Sequence, residues 1–485
     1  MSYCNVGIDL GVTSKHEARI RDEHGKEIGP KISFYLSRDS LDDLCNNVLQ
    51  VAPQGIRLRF ICEPTGMSWF PLAIYCRTRG YKMVRVKSQK SHALRKYFAL
   101  HKKNNSLDAR VLSVMPVIDE EATEEIYLPN AKAFSLKRRS NQMQKINQEI
   151  SSIKNRISSI FHWVMPGLLD CFDDPFDSRA RAFYLNFSSP FKAMKAGIES
   201  IKKVLAPACR QRMREGLVER IYQVVQEACR LYEKSSAYVD FDEIQDEVLE
   251  EIALLDAQEK SLIRVKERVK QLYEEVHPSR NIETLRGISK ILGPSLIGII
   301  GDPQRFSSQA NLRSFAGLVP KQDDSGDTSK KGLSLTQEGP SSLRRNLYLA
   351  SDVARQWDPQ LAKVYYEEMV NKGHCHTQAV CAVMTRITNR ILCILKENRP
   401  YQLRDPDGNP ISKQKAKQMI KERFTVPEEI RQRTRNRKRE KDKSEERLYN
   451  FFKRQIENQS SQKFYKGIPL ENRLMNIRGC NYEHN

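Results

Sequence analysis

The sequence lacks the features that mark secreted and membrane proteins. No uncharged apolar run reaches the roughly 18 residues that a membrane-spanning helix requires, and the opening MSYCNVGIDLGVTSKHEARI lacks the basic and then apolar pattern of a signal peptide. The eleven cysteines stand singly, with no CxxC pair, at positions 4, 45, 62, 76, 171, 209, 229, 375, 381, 393 and 480. Disulfides and cysteine-based zinc sites are therefore not expected. We predict a cytoplasmic protein with reduced cysteines and no membrane partner.

Acidic residues are too few to balance the basic ones. The chain has 81 Lys and Arg against 60 Asp and Glu, a formal net charge of +21 at pH 7. Such a field attracts polyanions, of which nucleic acid is the commonest. Basic residues are dense between positions 431 and 443, at Arg431, Arg433, Arg435, Arg437, Lys438, Arg439, Lys441 and Lys443. This composition is typical of a nucleic-acid-binding tail. The alternative is a charged segment that is only solvated and binds nothing specific, which would have the same composition.

The first 130 residues alternate short β-type runs with helical patterns, which predicts an α/β domain over residues 1–130. One helix is predicted to open with a cap at Ser40 and another to end at Gly80. The predicted strands are Tyr3–Leu10, Glu17–Asp22, Lys31–Leu36, Arg57–Cys62 and Tyr81–Val86, and the predicted helices between them are Ser40–Val51 and Trp69–Arg79.

Residues 131–277 show heptad-like spacing that predicts a helical coiled-coil domain. The first seam comprises Leu136, Met143, Ile146, Ile150, Ile153, Ile157 and Ile160. The second comprises Phe241, Ile244, Val248, Leu255, Leu262, Val265, Val269, Leu272 and Val276. The two helices pair either with each other or with those of a second subunit, and heptads do not decide between these arrangements.

Residues 278–400 are predicted to form a further, mainly helical domain, followed by a basic extension over 401–485. The segments Leu285-Arg286-Gly287-Ile288 and Gly293-Pro294 resemble a helix-hairpin-helix, whose backbone N–H groups contact phosphates without reading sequence. A plain helical hairpin fits these residues equally well.

Three acidic residues occupy positions typical of a metal site. Asp9 and Glu63 each lie at the end of an apolar strand, so that both fall at one edge of the predicted sheet. Asp108 lies in a helical pattern, with Asn105 one turn earlier on the same face. Because Mg²⁺ prefers oxygen ligands, and phosphoryl transfer uses carboxylates converging from several elements, these residues predict a magnesium site.

Basic residues are concentrated around the third acid. Asp108 is the only acidic residue between positions 85 and 110, and His92, Tyr97 and Phe98 are interleaved where they would either stack on bases or join the core. The basic residues that we expect to contact phosphates are Arg85, Lys87, Lys90, Arg95, Lys96, Lys102, Lys103 and Arg110.

Nearly the whole chain to about residue 400 resembles the DEDD transposases of the insertion sequence 110 family, which includes site-specific invertases. Several separate motifs in the same order carry the resemblance. They are Val6-Gly7-Ile8-Asp9, Cys62-Glu63-Pro64-Thr65-Gly66, the block from Lys103 to Arg110, Arg305-Phe306, Phe315-Ala316-Gly317-Leu318-Val319-Pro320, Ser325-Gly326 and Leu343-Arg344-Arg345.

The resemblance implies an RNase H-like (RuvC-like) domain, a coiled coil and a transposase domain whose serine becomes joined to DNA. Asp9, Glu63 and Asp108 match three of the family's four acids, and Ser325 takes the position of the nucleophile. The remaining acidic position falls on Asn105, which can offer an oxygen to Mg²⁺ but no charge.

The partners that the resemblance implies are donor and target DNA, a structured guide RNA and further copies of this chain, as a dimer or tetramer. Arg344 and Arg345 are expected to join the nucleic-acid contacts. The leading hypothesis is an RNA-guided transposase that cuts and rejoins DNA by magnesium-assisted attack of Ser325. Two alternatives stay open: a RuvC-like nuclease or junction resolvase in which Ser325 is idle, and a nucleic-acid-binding relative weakened at Asn105.

Overall fold

The computed structural model describes residues 2–11, 14–64, 66–98, 105–209, 215–234, 238–321, 324–325, 328–329 and 333–433. For residues 88–89, 105–106, 324–325 and 328–329 it describes the backbone alone. The chain divides into two compact units, Met1–Asn130 and Ala131–Asn485. The finer division into four domains stays a prediction.

The described residues of the N-terminal unit form a six-stranded mixed sheet with the order β3-β2-β1-β4-β5-β6. Strand β1 runs parallel to β4, and β4 runs parallel to β5, while the other neighbours are antiparallel. This mixed sheet fits the α/β, RNase H-like class that the sequence predicts. The strands are β1 (Tyr3–Asp9), β2 (His16–Arg21), β3 (Ile32–Phe34), β4 (Arg57–Cys62), β5 (Lys82–Val86) and β6 (Thr123–Glu125).

Helices cover both faces of this sheet, and most residues of its central strands β1 and β4 are therefore buried. Leu44 and Leu72 belong to the apolar core on one side, and Leu112 belongs to a smaller core with Ile61 and Val84. The helices of this unit are α1 (Arg38–Val51), α2 (Trp69–Thr78), α3 (Ser88–Phe98) and α4 (Asn105–Ile118).

Two local features of this unit differ from the sequence prediction. Helix α1 is capped by Ser37 and not by Ser40: the Ser37 hydroxyl accepts a hydrogen bond from the Ser40 amide at 3.3 Å. Both serines have the chemistry of a cap, so that the pattern alone does not choose between them. Strand β6 was not predicted because its sequence, TEE, has no apolar alternation.

The C-terminal unit is helical throughout most of its described residues. Its helices are α5 (Ala131–Val164), α6 (Ser178–Phe187), α7 (Pro190–Leu205), α8 (Leu217–Leu231), α9 (Phe241–Val276), α10 (Leu292–Ile300), α11 (Gln309–Phe315), α12 (Ser341–Ala354), α13 (Pro359–Tyr366), α14 (His376–Glu397) and α15 (Lys413–Arg423). Two two-residue strands, β7 (Asp324–Ser325) and β8 (Thr328–Ser329), pair antiparallel.

The two long helices α5 and α9 pack against each other within one chain and run antiparallel. Lys132 pairs with Glu275 at 2.6 Å near one end, and Arg156 pairs with Glu251 at 2.5 Å toward the other. Every residue of the seam predicted on α5 is buried. Within the described chain, the apolar seam of α5 is buried and α5 packs on α9 of the same chain. The pairing with a second subunit stays a prediction.

The segment that resembles a helix-hairpin-helix lies between a 3₁₀ turn over Asn281–Thr284 and α10, which begins at Leu292. The resemblance itself stays a prediction. Gly287 has φ of 97°, and a Cβ on it would lie 2.1 Å from the carbonyl oxygen of Ala350. This glycine is therefore required for close packing against α12. That requirement is independent of any contact between its backbone N–H group and a phosphate.

One helix in the described part of the chain, α14, is long and apolar enough to cross a membrane. Half of its most apolar window is buried inside the protein. Val380, Val383, Ile387 and Ile391 are fully buried on this helix. Since a core helix passes the same test of length and composition, α14 is a core helix of the C-terminal unit.

Candidate active site and nucleic-acid surface

Asp9 and Glu63 lie at the same edge of the sheet, as their positions in the sequence predict. Asp9 is the last residue of β1, and Ile8 stands opposite Cys62, the last residue of the parallel strand β4. Glu63 follows directly. Because β1 and β4 are parallel neighbours, their carboxyl ends coincide.

Helix α4 carries the third acid to this edge by packing directly on β1 at Gly7. A Cβ on Gly7 would stand 2.1 Å from the amide nitrogen of Ser113 and 2.3 Å from the carbonyl oxygen of Ala109. Only a residue without a side chain permits that approach. Asp108, the residue before Ala109, is thereby held near Asp9.

The charges of nearby acids act on Asp9. Burial, and after it the negative charges of Asp108, Glu17 and Glu63, together raise the pKa of Asp9 to about 6, while the positive charge of Arg95 opposes them. Like charges act in this way only at short range in a partly desolvated site. The arrangement concentrates negative charge around Asp9.

The described acids have partners within the protein. Glu63 Oε2 accepts a hydrogen bond from the Ser91 hydroxyl at 2.8 Å, and Asp108 pairs with Arg95, whose Nε lies 3.2 Å from Oδ1. In the part of the chain that the structure describes, no three His, Cys, Asp or Glu side chains are grouped closely enough to hold a metal ion as they stand. The side chain of Asn105 lies outside the described residues.

Glu17 belongs to this group of acids, and the sequence analysis missed it. It stands directly opposite Asp9 in the antiparallel pair of β1 and β2. Its Oε1 accepts a hydrogen bond from Lys31 at 3.1 Å, and its Oε2 is buried without a hydrogen-bond partner. Only the strand register brings Glu17 to Asp9, and no local motif signals that register.

Ser325 lies in the C-terminal unit, where the structure describes its backbone alone. It stands opposite Thr328 in the short β7–β8 ladder. Its hydroxyl lies outside the described atoms, so that its role as nucleophile stays a prediction.

Several of the basic residues expected at phosphates are paired with acids in the protein. Arg85 lies 2.6 Å from Glu124, and Lys90 lies 2.7 Å from Asp119. Arg95 is held by Asp108, as above. Lys87 is exposed, whereas Lys102 and Lys103 lie outside the described residues. A phosphate would compete with these acids for the paired side chains or use their remaining N–H donors.

The two aromatic residues at the end of α3, Tyr97 and Phe98, differ in their surroundings. Tyr97 is 84% exposed, and Lys96 beside it is also exposed. Phe98 packs against the core of Val86 and Leu112, and the Arg110 guanidinium lies 5.2 Å from the centre of its ring. Tyr97 thus keeps the geometry needed for stacking on a base, and Phe98 does not.

Arg344 and Arg345 on α12 differ in their surroundings. Arg344 donates to the carbonyl oxygen of Gly339 at 3.0 Å. Arg345 lines a groove whose other wall is the polar face of α5, formed by Asn147, Gln148, Ser151, Ser152 and Asn155. This groove combines one cation with hydroxyl and amide groups.

Comparison with known proteins identifies the family. A DEDD model for IS110 elements, described as "Transposase", matches residues 6–166, and the model "Transposase IS116/IS110/IS902 family" matches residues 279–367. The chain is 22% identical over 407 residues to the "Insertion element IS110 uncharacterized 43.6 kDa protein" of Streptomyces coelicolor, covering 83% of this chain and 96% of that protein. The chain belongs to the IS110 family of transposases.

Relatives of this IS110-family chain include recombinases. It is 28% identical over 123 residues to the "Pilin gene-inverting protein" of Moraxella lacunata and 29% identical over 128 residues to that of Moraxella bovis. These matches cover 25% and 26% of this chain, and 38% and 40% of the two relatives. The protein is an enzyme, a transposase or site-specific recombinase acting on DNA. The first model spans Asp9, Glu63 and Asp108, and the second spans Ser325.

Proposed function

We propose that this IS110-family enzyme cuts and rejoins DNA strands with Ser325 as nucleophile and with Asp9, Glu63 and Asp108 at a divalent metal site. The observation that carries the proposal is the placement of Asp9 and Glu63 at the carboxyl ends of neighbouring parallel strands, with α4 packed on Gly7 just beside Asp108. Burial and the acidic neighbours raise the pKa of Asp9 to about 6. Such a concentration of partly buried negative charge, at the carboxyl ends of two parallel strands, fits a cation and a phosphate substrate.

The donor set fits Mg²⁺. All three proposed ligands offer carboxylate oxygens, and the neighbouring Glu17 has a buried oxygen without a partner. Bound magnesium would neutralise charge on the phosphate and orient it. The Asp108 side chain would exchange its ion pair with Arg95 for the metal. The released Arg95 guanidinium would then be free to contact a phosphate oxygen.

The proposed chemical step exchanges one phosphate ester for another. The Oγ–P bond to Ser325 forms while the P–O bond to the leaving sugar breaks, and the leaving oxygen takes up a proton. The Ser325 hydroxyl loses its proton to a general base. Attack by the hydroxyl of another strand then reverses these changes, frees Ser325 and reseals the DNA. Because the phosphoserine link conserves the ester bond, rejoining needs no further energy source.

The proposal includes donor and target DNA and a guide RNA. The family resemblance is the basis for the RNA, and the exposed Tyr97 and Lys96 support contact with unpaired bases and phosphates. Further copies of the chain, as a dimer or tetramer, are also proposed on the resemblance. The apolar seams of α5 and α9 pack against each other within the chain, so that assembly would use other surfaces. One such surface bears Ile263 of α9, which is 68% exposed.

The decisive experiment is a search for a covalent protein–DNA product on a denaturing gel, with Mg²⁺ and radiolabelled element-end DNA. Wild-type protein and Ser334→Ala, a matched control nine residues from the nucleophile, should both form the adduct. Ser325→Ala should form none, and Asp9→Asn should form little.

Two results would contradict the serine mechanism. An adduct that persists in Ser325→Ala would assign the link to another residue. Cleavage that leaves free ends, is insensitive to Ser325→Ala and is lost in Asp9→Asn would instead establish a nuclease or junction resolvase.

A further inference from the structure

Glu17 and Asp9 form a directly opposed pair on adjacent strands. In an antiparallel ladder such partners project their side chains to the same face, with Cβ atoms about 5 Å apart. Gly7 and Arg19 form the preceding pair on this face, and α4 lies directly over Gly7. Glu17 therefore projects to the face on which α4 carries Asp108.

One carboxylate oxygen of Glu17 is buried and unused. Its Oε1 is bound by Lys31, whose side chain is 42% exposed, and the Glu17 side chain itself is 17% exposed. Its Oε2 has no solvent access and no hydrogen-bond donor. A buried carboxylate oxygen without a partner is costly, and a cation beside it would remove that cost.

The charge around Asp9 also favours a cation at this place. Glu17 stands opposite Asp9 in the β1–β2 ladder, Glu63 follows the parallel strand β4 at the same edge, and α4 packs on Gly7 just beside Asp108. The family position at residue 105 holds asparagine, which brings no charge. The sequence motif therefore lacks an acid at position 105, whereas the folded chain places an additional acid, Glu17, beside Asp9.

We propose that Glu17 supplies the fourth carboxylate of the metal site, binding the divalent ion directly or through one water molecule, and so compensates for Asn105. This inference rests on the proposed metal site of Asp9, Glu63 and Asp108. The fourth metal-binding carboxylate would then come from β2, whereas the family motif places it at the start of α4.

The test is calorimetric titration of the full-length protein with Mn²⁺ as the probe, without DNA, so that affinity is measured independently of activity. Glu17→Gln should weaken Mn²⁺ binding roughly tenfold or more, the size of effect seen when a group supporting a metal site is lost. Glu23→Gln, on the exposed turn after β2, should bind as wild type.

Two further variants separate metal binding from a structural ion pair. Lys31→Met removes the other partner of Glu17, and it should leave Mn²⁺ affinity unchanged or increased because a competing cation is gone. A loss of affinity in Lys31→Met equal to that in Glu17→Gln would overturn the proposal. Adding Asn105→Asp to Glu17→Gln should restore most of the lost affinity, and no restoration would count against compensation.

Failure of this inference is distinguishable from failure of the proposed function. If Asp9→Asn abolishes Mn²⁺ binding while Glu17→Gln binds as wild type, the metal site stands and the role of Glu17 is wrong. If the wild type itself binds no Mn²⁺, the metal site and this inference fall together. Circular dichroism melts establish that each variant is folded, and Glu17→Asp, which keeps the charge with a shorter reach, replaces Glu17→Gln if that variant unfolds.

Discussion

Gly7 of β1 lies beneath the backbone of Ala109 on α4, with space for a hydrogen atom but not for a methyl group. A Cβ at position 7 would stand 2.3 Å from the Ala109 carbonyl oxygen. Asp9 follows two residues after Gly7, and Asp108 directly precedes Ala109. The contact between a strand and a helix about 100 residues apart in sequence therefore sets the separation of two acids.

Replacing Gly7 with alanine should displace α4 from the sheet. The clash is with backbone atoms, which do not yield as a flexible side chain does, so that a destabilisation of roughly 1–3 kcal/mol is expected, with weaker Mn²⁺ binding. Thermal melts and calorimetry measure the two effects. Gly11→Ala is the matched control, since its shortest clash is with the Ser14 hydroxyl, 2.4 Å away, which can rotate, and its nearest backbone atom, the Ser14 carbonyl oxygen, is 3.0 Å away. Equal effects of both substitutions would contradict the role of Gly7.

Replacing Asn105 with aspartate should strengthen the metal site in the wild-type background. The change adds a negative charge at the family's acidic position, and Mg²⁺ affinity rises with ligand charge. We expect tighter Mn²⁺ binding and, if metal binding limits the reaction, faster adduct formation. Unchanged affinity together with unchanged activity would show that Asn105 does not impair the enzyme.

The pH dependence of metal binding should follow Asp9. Because burial and acidic neighbours raise the pKa of Asp9 to about 6, a proton competes with the metal below that pH. Mn²⁺ affinity should therefore increase from pH 5 to pH 7. Calorimetric titrations at several pH values test this, with release of a proton on binding near pH 6. An affinity independent of pH across this range would contradict the assignment.

The stability of the metal-free protein should decrease with rising pH, whereas the affinity for Mn²⁺ should increase. A carboxyl whose pKa is raised from 3.8 to about 6 on folding binds more protons in the folded state, so that its contribution to stability is lost as pH rises through 6. The melting temperature, measured with a chelator present, should be lower at pH 7 than at pH 5. This difference should be smaller in Asp9→Asn than in the wild type. The same fall in both proteins would assign it to other groups.

Replacing Arg345 with alanine should weaken DNA or RNA binding without selecting among sequences. If Arg345 contacts one phosphate from its polar groove, the slope of log affinity against log salt should fall by about one. Fluorescence anisotropy with labelled DNA over a salt series measures the slope. Lys363→Ala removes an exposed cation elsewhere in the same unit and should change it less. An unaltered slope in Arg345→Ala would exclude the contact.

Several features of this protein could be predicted from the sequence because they depend on local pattern. The apolar runs before Asp9 and Glu63 predict buried strands with acids at their carboxyl ends. The observed strand β1 ends at Asp9, and β4 ends at Cys62, directly before Glu63. The seven-residue spacing that begins at Leu136 predicts a helix with one apolar face, which α5 buries. Spacing along one chain segment is sufficient for both inferences.

Other features depended on the tertiary structure. Heptad spacing does not choose a partner, and only the folded chain shows α5 against α9. The pairing of Asp108 with Arg95 and the opposition of Glu17 to Asp9 follow from helix packing and strand register. The sequence alone therefore determined the family, the strand-end acids and the apolar helical faces, because these depend on residue order. Which side chains meet at the site was decided by contacts between distant segments, whose register no local pattern specifies.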